Sequence, residues 1–183
     1  AVVDVHRLEL GAFHVAAGDV FDQGAHCGLG RQGRQVAAQG LVLPGRERRD
    51  HLWVSRVVRE EPGGRRRPDR EHEAMDRVLA DVATAEGDVL VSHEFFAAAS
   101  AEQARAFVEQ LGAGGREVHL LVTAREPLGL FTASWQESLK NRSTTPMADY
   151  GRTESASPEA VWDWRTLDLS LVLERWLEAV PAD

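Results

Sequence analysis

Lysine is almost absent from this sequence. The chain has 183 residues, of which 21 are lysine or arginine, and Lys140 is the single lysine. A phosphate-binding loop of the G-x-x-x-x-G-K-[ST] type requires a lysine directly after a glycine-rich turn, because that lysine contacts the bound phosphates. No glycine-rich turn precedes Lys140, so the sequence excludes a standard loop of this kind.

Cysteine is nearly absent, and long apolar stretches and net positive charge are missing altogether. Cys27 is the only cysteine, which excludes an internal disulfide and is typical of a reducing cytoplasm. The chain has no apolar run of about 18 residues and no signal-peptide pattern, so we expect a cytoplasmic protein without a membrane partner. The net charge of −8 argues against nucleic-acid binding but allows a local basic pocket for a small anion.

The middle of the chain predicts a strand–helix–strand unit. Residues 88–93 (DVLVSH) and 117–124 (EVHLLVTA) are apolar runs typical of buried strands. Between them, Ser100 followed by Gln103 indicates a helix start, and apolar residues then recur at helical spacing as far as Leu111. Two strands joined in this way run parallel with a right-handed crossover, so we expect an α/β fold with a parallel sheet.

The flanking segments add further elements to this unit. They are, in order, a short strand ending in a Pro-Gly turn at 41–45, a charge-dense solvated loop at 59–73, a helix that contains Met75 and Val82 and is ended by Gly87, a helix from Pro127 to Arg142, and a final amphipathic helix from Leu169 to Val180.

Polar residues follow both strands of the predicted unit. In an open parallel sheet ligands bind outside the carboxyl ends of the strands, and this rule selects residues 92–94 and 123–127. His93 and Glu94 are titratable groups that a strand end holds firmly enough for a general base. The alternative is a partly buried histidine next to a carboxylate at a helix N-terminus. Arg125 is suited to holding a phosphate or carboxylate through two N–H donors, or else forms a surface salt bridge.

Residues 1–34 show no sustained period and contain two weaker patterns. Residues 28–33 match G-x-G-x-x-G, but no convincing strand precedes them, as a dinucleotide-binding turn would require. His14, His26 and Cys27 are metal-capable, but their spacing fits no zinc pattern, so we expect no metal. We therefore divide the chain into an atypical segment, 1–34, and an α/β domain, 35–183.

Three blocks of this domain, in order, resemble the actinobacterial sulfotransferase-like family. They are GLVLPG with DHLW within 40–53, VLVSHEFFAAAS at 89–100, and EVHLLVTAR with WQESLKNRST within 117–144. Residues 162–180 are similar to the W-R-x-x-D-L-x-x-V-L-x-R-W segment that follows in the family. The resemblance implies a three-layer, P-loop-type α/β fold with a parallel sheet flanked by helices. It also implies transfer of a sulfuryl group from 3′-phosphoadenosine 5′-phosphosulfate (PAPS) to a hydroxyl or amine.

The resemblance also implies roles for particular residues. Arg125 matches the strand-end arginine that contacts the 3′-phosphate of PAPS, and Ser134 resembles a cofactor-binding serine on the next helix, although Ala133 occupies the eight-residue spacing. His93 or Glu94 would deprotonate the acceptor, a small molecule or a glycan. Lys140, Asn141 and Arg142 belong to the matching block without an implied role.

The N-terminal segment departs from the family pattern. The family begins with a strand and an H-I-G-x-x-K-[ST]-G-T-T loop that holds the 5′-phosphosulfate, and residues 1–34 contain nothing similar. We therefore expect a family member that is incomplete at both ends. The open alternative is a non-catalytic remnant, a nucleotide-binding or interaction module of the same fold.

Overall fold

The computed structural model describes eight segments of the chain, with backbone alone for the first two and for Trp164: residues 4–7, 12–17, 41–47, 49–60, 68–124, 126–140, 142–152 and 164–180. The strands in these segments are β1 (Asp4–Arg7), β2 (Ala12–Ala17), β3 (Val89–Ser92) and β4 (Val118–Ala124). The helices are α1 (Asp50–Val58), α2 (Pro68–Thr84), α3 (Ala101–Gly112), α4 (Pro127–Lys140), α5 (Trp164–Leu167) and α6 (Leu169–Leu177), with a 3-10 helix at Glu94–Ala98.

The four strands form one sheet in the order β1-β4-β2-β3. β1 pairs parallel with β4, whereas β2 pairs antiparallel with both β4 and β3. β3 and β4 therefore run in the same direction, as the strand–helix–strand pattern predicts, but β2 lies between them. Beside β3, Val42 forms an isolated parallel bridge with Val89. Residues 41–45 therefore contribute a single bridge in place of the strand expected there.

The sheet is mixed, and this differs from the purely parallel sheet expected. The difference comes from β2, because residues 12–17 belong to the segment in which the sequence shows no period, and they pair antiparallel on both sides. The three-layer, P-loop-type assignment stays a prediction.

Buried residues of the helices collect on one face of this sheet. Alternate residues of β3 and β4 point to that face, because side chains alternate along a strand: Val89, Val91, Val118, Leu120 and Val122. Residues of α1, α2, α3 and α6 complete the same core, in which Phe96 stacks on Phe107 and meets Trp176 edge to face. On the other face, the described residues place Leu90 against Leu41 and Leu43.

The start of α2 corrects the loop expected at 59–73. The helix begins at Pro68, so residues 68–73 are helical, while 61–67 lie outside the described residues. Proline is favoured in the first turn of a helix, and Asp69 there suits the helix dipole. One position of this charge-dense segment is buried. Glu71 is fully buried, and Arg56 Nη1 lies 3.6 Å from its carboxylate.

The other helix predictions agree closely with the structure. Ser100 and Gln103 form a complete capping box at the start of α3, with the Gln103 N–H donating to Ser100 Oγ at 3.1 Å. α4 begins at Pro127 as predicted and ends at Lys140, two residues before Arg142. The helix containing Met75 ends at Thr84, before Gly87, and α6 ends at Leu177. No helix among the described residues has the length and apolar character needed to cross a bilayer.

Candidate functional site

The carboxyl ends of β3 and β4 lie at the same edge of the sheet, here called the carboxyl edge. β3 ends at Ser92, so His93 and Glu94 project from this edge, and β4 ends at Ala124, directly before Arg125. Arg125 itself lies outside the described residues. The topology therefore brings the two predicted segments, 92–94 and 123–127, to one edge, which is where an open sheet binds ligands.

His93 is held by its own helix start. It occupies the N-cap of the 3-10 helix, where its Nδ1 accepts the Phe95 N–H at 3.2 Å, and its ring lies edge-on to that of Phe95 at 4.8 Å. Because Nδ1 acts as acceptor, the neutral ring carries its proton on Nε2. In this tautomer Nε2 donates a hydrogen bond, so His93 is suited to orienting a substrate oxygen rather than to removing a proton.

Glu94 has the properties of a base at this edge. It is the first residue of the 3-10 helix, and its side chain reaches the surface. The surrounding protein nevertheless desolvates the carboxylate, which raises its pKa, and the negative charge of Glu137 on α4 raises it further. A raised pKa brings a carboxylate closer to the value at which a general base works best near neutral pH. Of the two predicted bases, the tautomer of His93 and the raised pKa of Glu94 favour Glu94.

The residues of α4 make mostly local contacts. Glu126 caps the helix, with its carboxylate accepting the Leu128 N–H at 3.0 Å and the Gly129 N–H. Lys140, the single lysine of the chain, binds Glu137 at 2.6 Å one turn away. Glu137 therefore pairs with Lys140 and also raises the pKa of Glu94. Asn141, the next residue of the block, lies outside the described residues.

Ser134, the other predicted cofactor-binding residue, faces inward. Only 3% of its surface is exposed, and its Oγ donates to the Phe131 carbonyl of the same helix at 3.1 Å. A buried serine that bonds back to its own helix satisfies its hydroxyl locally. The structure thus places Ser134 on α4 as predicted, but its hydroxyl serves the helix.

At this edge His51 was not predicted from the sequence, whereas Ser92 was predicted at the strand end without a role of its own. Ser92 is 4% exposed, and among the described residues its Oγ has no hydrogen-bond partner. A buried hydroxyl without a partner is uncommon in folded proteins and indicates a place where a ligand or water could bind.

His51 is buried between the turn at residues 44–47 and the end of β3. Its Nε2 donates to the Pro44 carbonyl at 2.8 Å, while its Nδ1 lies 3.2 Å from both the N and the O of Ser92. Burial lowers the pKa of this imidazole; the two carbonyls and the Asp50 carboxylate oppose the shift in part. His51 belongs to the DHLW block, but nothing in that pattern indicates which backbone groups its ring would meet.

The turn at 44–47 is packed tightly against α1 and α2. Gly45 has φ +98°, and its N–H donates to Asp81 Oδ2 at 2.7 Å. The N–H groups of Arg46 and Glu47 donate to Asp50 at 2.8 and 3.3 Å. Burial alone would raise the pKa of Asp50, but the hydrogen bond from Arg77 and these N–H groups outweigh it, so the pKa is lowered.

Other candidate features lie elsewhere in the fold or outside the described residues. A groove of about 560 Å³ opens at the amino end of β4, opposite the carboxyl edge, between the last turn of α3 and residues 178–180. The described residues contain no group of three metal-capable side chains. The glycines at 28–33, together with His26 and Cys27, lie outside the described residues, and of His14 only the backbone is described.

The carboxyl edge of this mixed α/β sheet thus holds Glu94, an exposed carboxylate of raised pKa, and Ser92, a buried hydroxyl without a hydrogen-bond partner among the described residues. No protein-family model, curated protein or solved structure matches this chain.

Proposed function

We propose that this chain is a sulfotransferase-family protein whose carboxyl edge transfers a sulfuryl group from PAPS to a hydroxyl or amine of a small molecule or glycan. Two things support the proposal: the resemblance of the three sequence blocks, and the meeting of two of those blocks at one sheet edge. The observation that carries it is Glu94, a carboxylate of raised pKa beside Glu137 of the WQESLKNRST block. We also propose a cytoplasmic location, which suits a chain with one cysteine.

Glu94 and His93 have different parts in this reaction. The Glu94 carboxylate takes the proton of the acceptor O–H, the acceptor oxygen attacks the sulfur of PAPS, and the bond from sulfur to the phosphate oxygen breaks. The His93 Nε2–H orients the acceptor. Charge develops on the bridging oxygen during such a transfer, so nearby donors accelerate it.

The fit to the donor molecule depends chiefly on Arg125. The nucleotide carries several negative charges, whereas Glu94, Glu126 and Glu137 are acidic and Lys140 is paired with Glu137. An arginine at the end of β4 can hold the 3′-phosphate with two parallel N–H donors. Ser92 Oγ, which has no hydrogen-bond partner among the described residues, can supply one further hydrogen bond.

One observation favours a second candidate, a nucleotide-binding module without transfer activity. Residues 1–34 contain no lysine and therefore no phosphate loop of the family type. A chain that binds the nucleotide through Arg125 but cannot hold the 5′-phosphosulfate would bind without transferring.

Binding and transfer are measured separately to distinguish the two candidates. Isothermal titration with adenosine 3′,5′-bisphosphate, the product of PAPS, tests binding, and release of that nucleotide from PAPS in the presence of phenol and amine acceptors tests transfer. We expect Arg125→Ala to weaken nucleotide binding at least tenfold, because it removes a charge-assisted phosphate contact.

The base is tested with a matched pair of variants. Glu94→Gln keeps the size of the side chain but cannot accept a proton, and we expect transfer to fall about 100-fold while nucleotide affinity stays unchanged. Glu86→Gln is the control, since Glu86 is exposed at the amino end of β3. Binding with no transfer in the wild type supports the module, and no binding at millimolar nucleotide refutes both candidates.

A further inference from the structure

The outer edge of β3 carries a short parallel ladder that stops abruptly. The Val42 N–H donates to Asp88 O at 2.7 Å, and the Leu90 N–H donates to Val42 O at 2.9 Å. Continuing this pattern by two residues would pair Pro44 with Leu90 O and Ser92 N–H with Pro44 O. The first bond cannot form, because proline has no N–H. The ladder therefore ends one step before the carboxyl edge.

The ring of His51 takes the place of the missing step. Ser92 N–H and Pro44 O, which would otherwise meet, are joined through the imidazole: Ser92 N–H donates to Nδ1 at 3.2 Å, and Nε2–H donates to Pro44 O at 2.8 Å. A single neutral tautomer, with its proton on Nε2, satisfies both bonds. His51 as a whole is only 8% exposed, so water does not readily replace either partner.

The Ser92 carbonyl offers the same nitrogen a different bond. Ser92 O also lies 3.2 Å from Nδ1, and a protonated Nδ1–H would donate to it. Protonation would therefore exchange an accepted bond from Ser92 N–H for a donated bond to Ser92 O. That carbonyl belongs to the peptide that joins Ser92 to His93, and Glu94 follows directly, so the exchange acts on the peptide that positions the candidate base.

We propose that His51 is a positioning residue: its neutral imidazole holds the end of β3, and with it His93 and Glu94, and its protonation rearranges the Ser92–His93 peptide. The inference concerns the same edge as the proposed function. It makes the arrangement of the edge depend on pH through a residue that touches neither acceptor nor nucleotide.

The charged groups around His51 do not replace its role. On its own helix the neighbour is Asp50, whose carboxylate is engaged by Arg77 and by the turn. From α2, Asp81 holds the Gly45 N–H. Beyond Ser92 lie His93 and Glu94 of the 3-10 helix. The lowered pKa of His51 agrees with the geometry, because burial favours the neutral ring.

Nuclear magnetic resonance of the whole, unliganded chain tests the proposal. We expect the Ser92 amide ¹⁵N–¹H signal to titrate together with the His51 ring, at a pH below the ordinary histidine value of about 6.5. The Glu94 carboxyl ¹³C signal should show its own titration and a second inflection at the His51 midpoint. The measurement needs no ligand, so its outcome is independent of whether the chain binds PAPS.

His51→Gln is the decisive variant. Its amide can accept from Ser92 N–H and donate to Pro44 O but cannot titrate, so both inflections should disappear while the spectrum at pH 8 stays close to wild type. His72→Gln, at an exposed position on α2, should leave both inflections in place.

Three results would overturn the proposal. They are a Ser92 amide that does not respond while His51 titrates, a Glu94 curve with a single inflection, and inflections that survive in His51→Gln. If His51→Gln does not fold, the wild-type Ser92 and Glu94 titrations still decide.

Discussion

The two walls of the carboxyl edge are built in different ways. The wall that follows β3 is fixed by residues far away in the sequence: His51 binds Ser92, Trp176 Nε1 donates to Phe96 O at 3.2 Å, and Arg175 donates to the carbonyls of Ala97 and Ala99 at 2.8 and 3.0 Å. The wall that follows β4 is α4, where the described contacts of Glu126, Ser134 and Lys140 stay within a turn or so.

This difference suggests a division of roles between the walls. Long-range contacts connect the β3 wall to the core, so it should move only when the fold itself is disturbed. Among the described residues, no α4 side chain belongs to the buried hydrophobic core, although Phe131 contacts Tyr150 and Trp135 contacts Thr145. Leu128, at the start of α4, is 80% exposed. A rigid wall suits a base that must be held accurately, and a less tethered wall suits the binding of variable acceptors.

The largest expected effect comes from cutting the β3 wall away from the core. Trp176 is fully buried and packs on Phe96, directly behind the 3-10 helix. Trp176→Ala should lower the free energy of unfolding by about 3–5 kcal/mol, through lost burial and a cavity. Urea unfolding followed by circular dichroism measures it.

Trp135→Ala on α4 is the matched variant for the other wall. Trp135 is partly buried, and its Nε1 donates to Thr145 O at 3.0 Å, ten residues away. We expect a loss of about 1 kcal/mol, close to the value of one hydrogen bond. Equal losses for the two tryptophans would contradict the proposed difference between the walls.

The next effect comes from the turn that supports His51. Gly45 has φ +98°, and a Cβ there would lie 2.9 Å from Asp50 Oδ2 and 3.0 Å from Asp50 Cβ. Gly45→Ala should therefore destabilise the chain by about 2 kcal/mol, because an L-residue is strained at this φ and the Asp50 contacts must shift. Gly114→Ala, where a Cβ meets nothing within 4 Å, is the control. Thermal unfolding compares the two, and similar melting temperatures would show that the turn is not tight.

Much of the β3 wall was predictable from the sequence, whereas the long-range contacts that fix it were not. The apolar run DVLVSH, the Ser100–Gln103 capping box and the apolar spacing of α3 are local patterns, and each predicts a local structure. The contacts of His51 with Pro44 and Ser92 join residues up to 41 positions apart, and no spacing rule encodes them. For Ser134 the limit is a different one: its place on α4 was predictable, but the direction of its hydroxyl was not.

A smaller effect should appear as a pH dependence of stability. His51 has a lowered pKa in the folded chain, so between that value and about 6.5 the unfolded chain binds the proton more readily. The stability contributed by neutral His51 is therefore complete above pH 6.5 and falls as the pH drops, by up to about 1.4 kcal/mol per pH unit. Between pH 8 and pH 5 the urea midpoint of the wild type should fall relative to that of His51→Gln, which has no titrating ring at this position. Parallel curves would refute this linkage.

The smallest effect should come from Ser134→Ala, which tests the other wall. The Ser134 hydroxyl donates to Phe131 O within α4, and alanine favours helix more than serine does. Loss of one local bond is then offset by better helix propensity, so the free energy of unfolding should change by about 0.5 kcal/mol or less. Nucleotide affinity should also stay within twofold, measured by isothermal titration beside Arg125→Ala. A tenfold loss of affinity in Ser134→Ala would mean that α4 turns its serine toward the bound phosphate, and the less tethered wall would then rearrange around the nucleotide, whereas the β3 wall keeps its place.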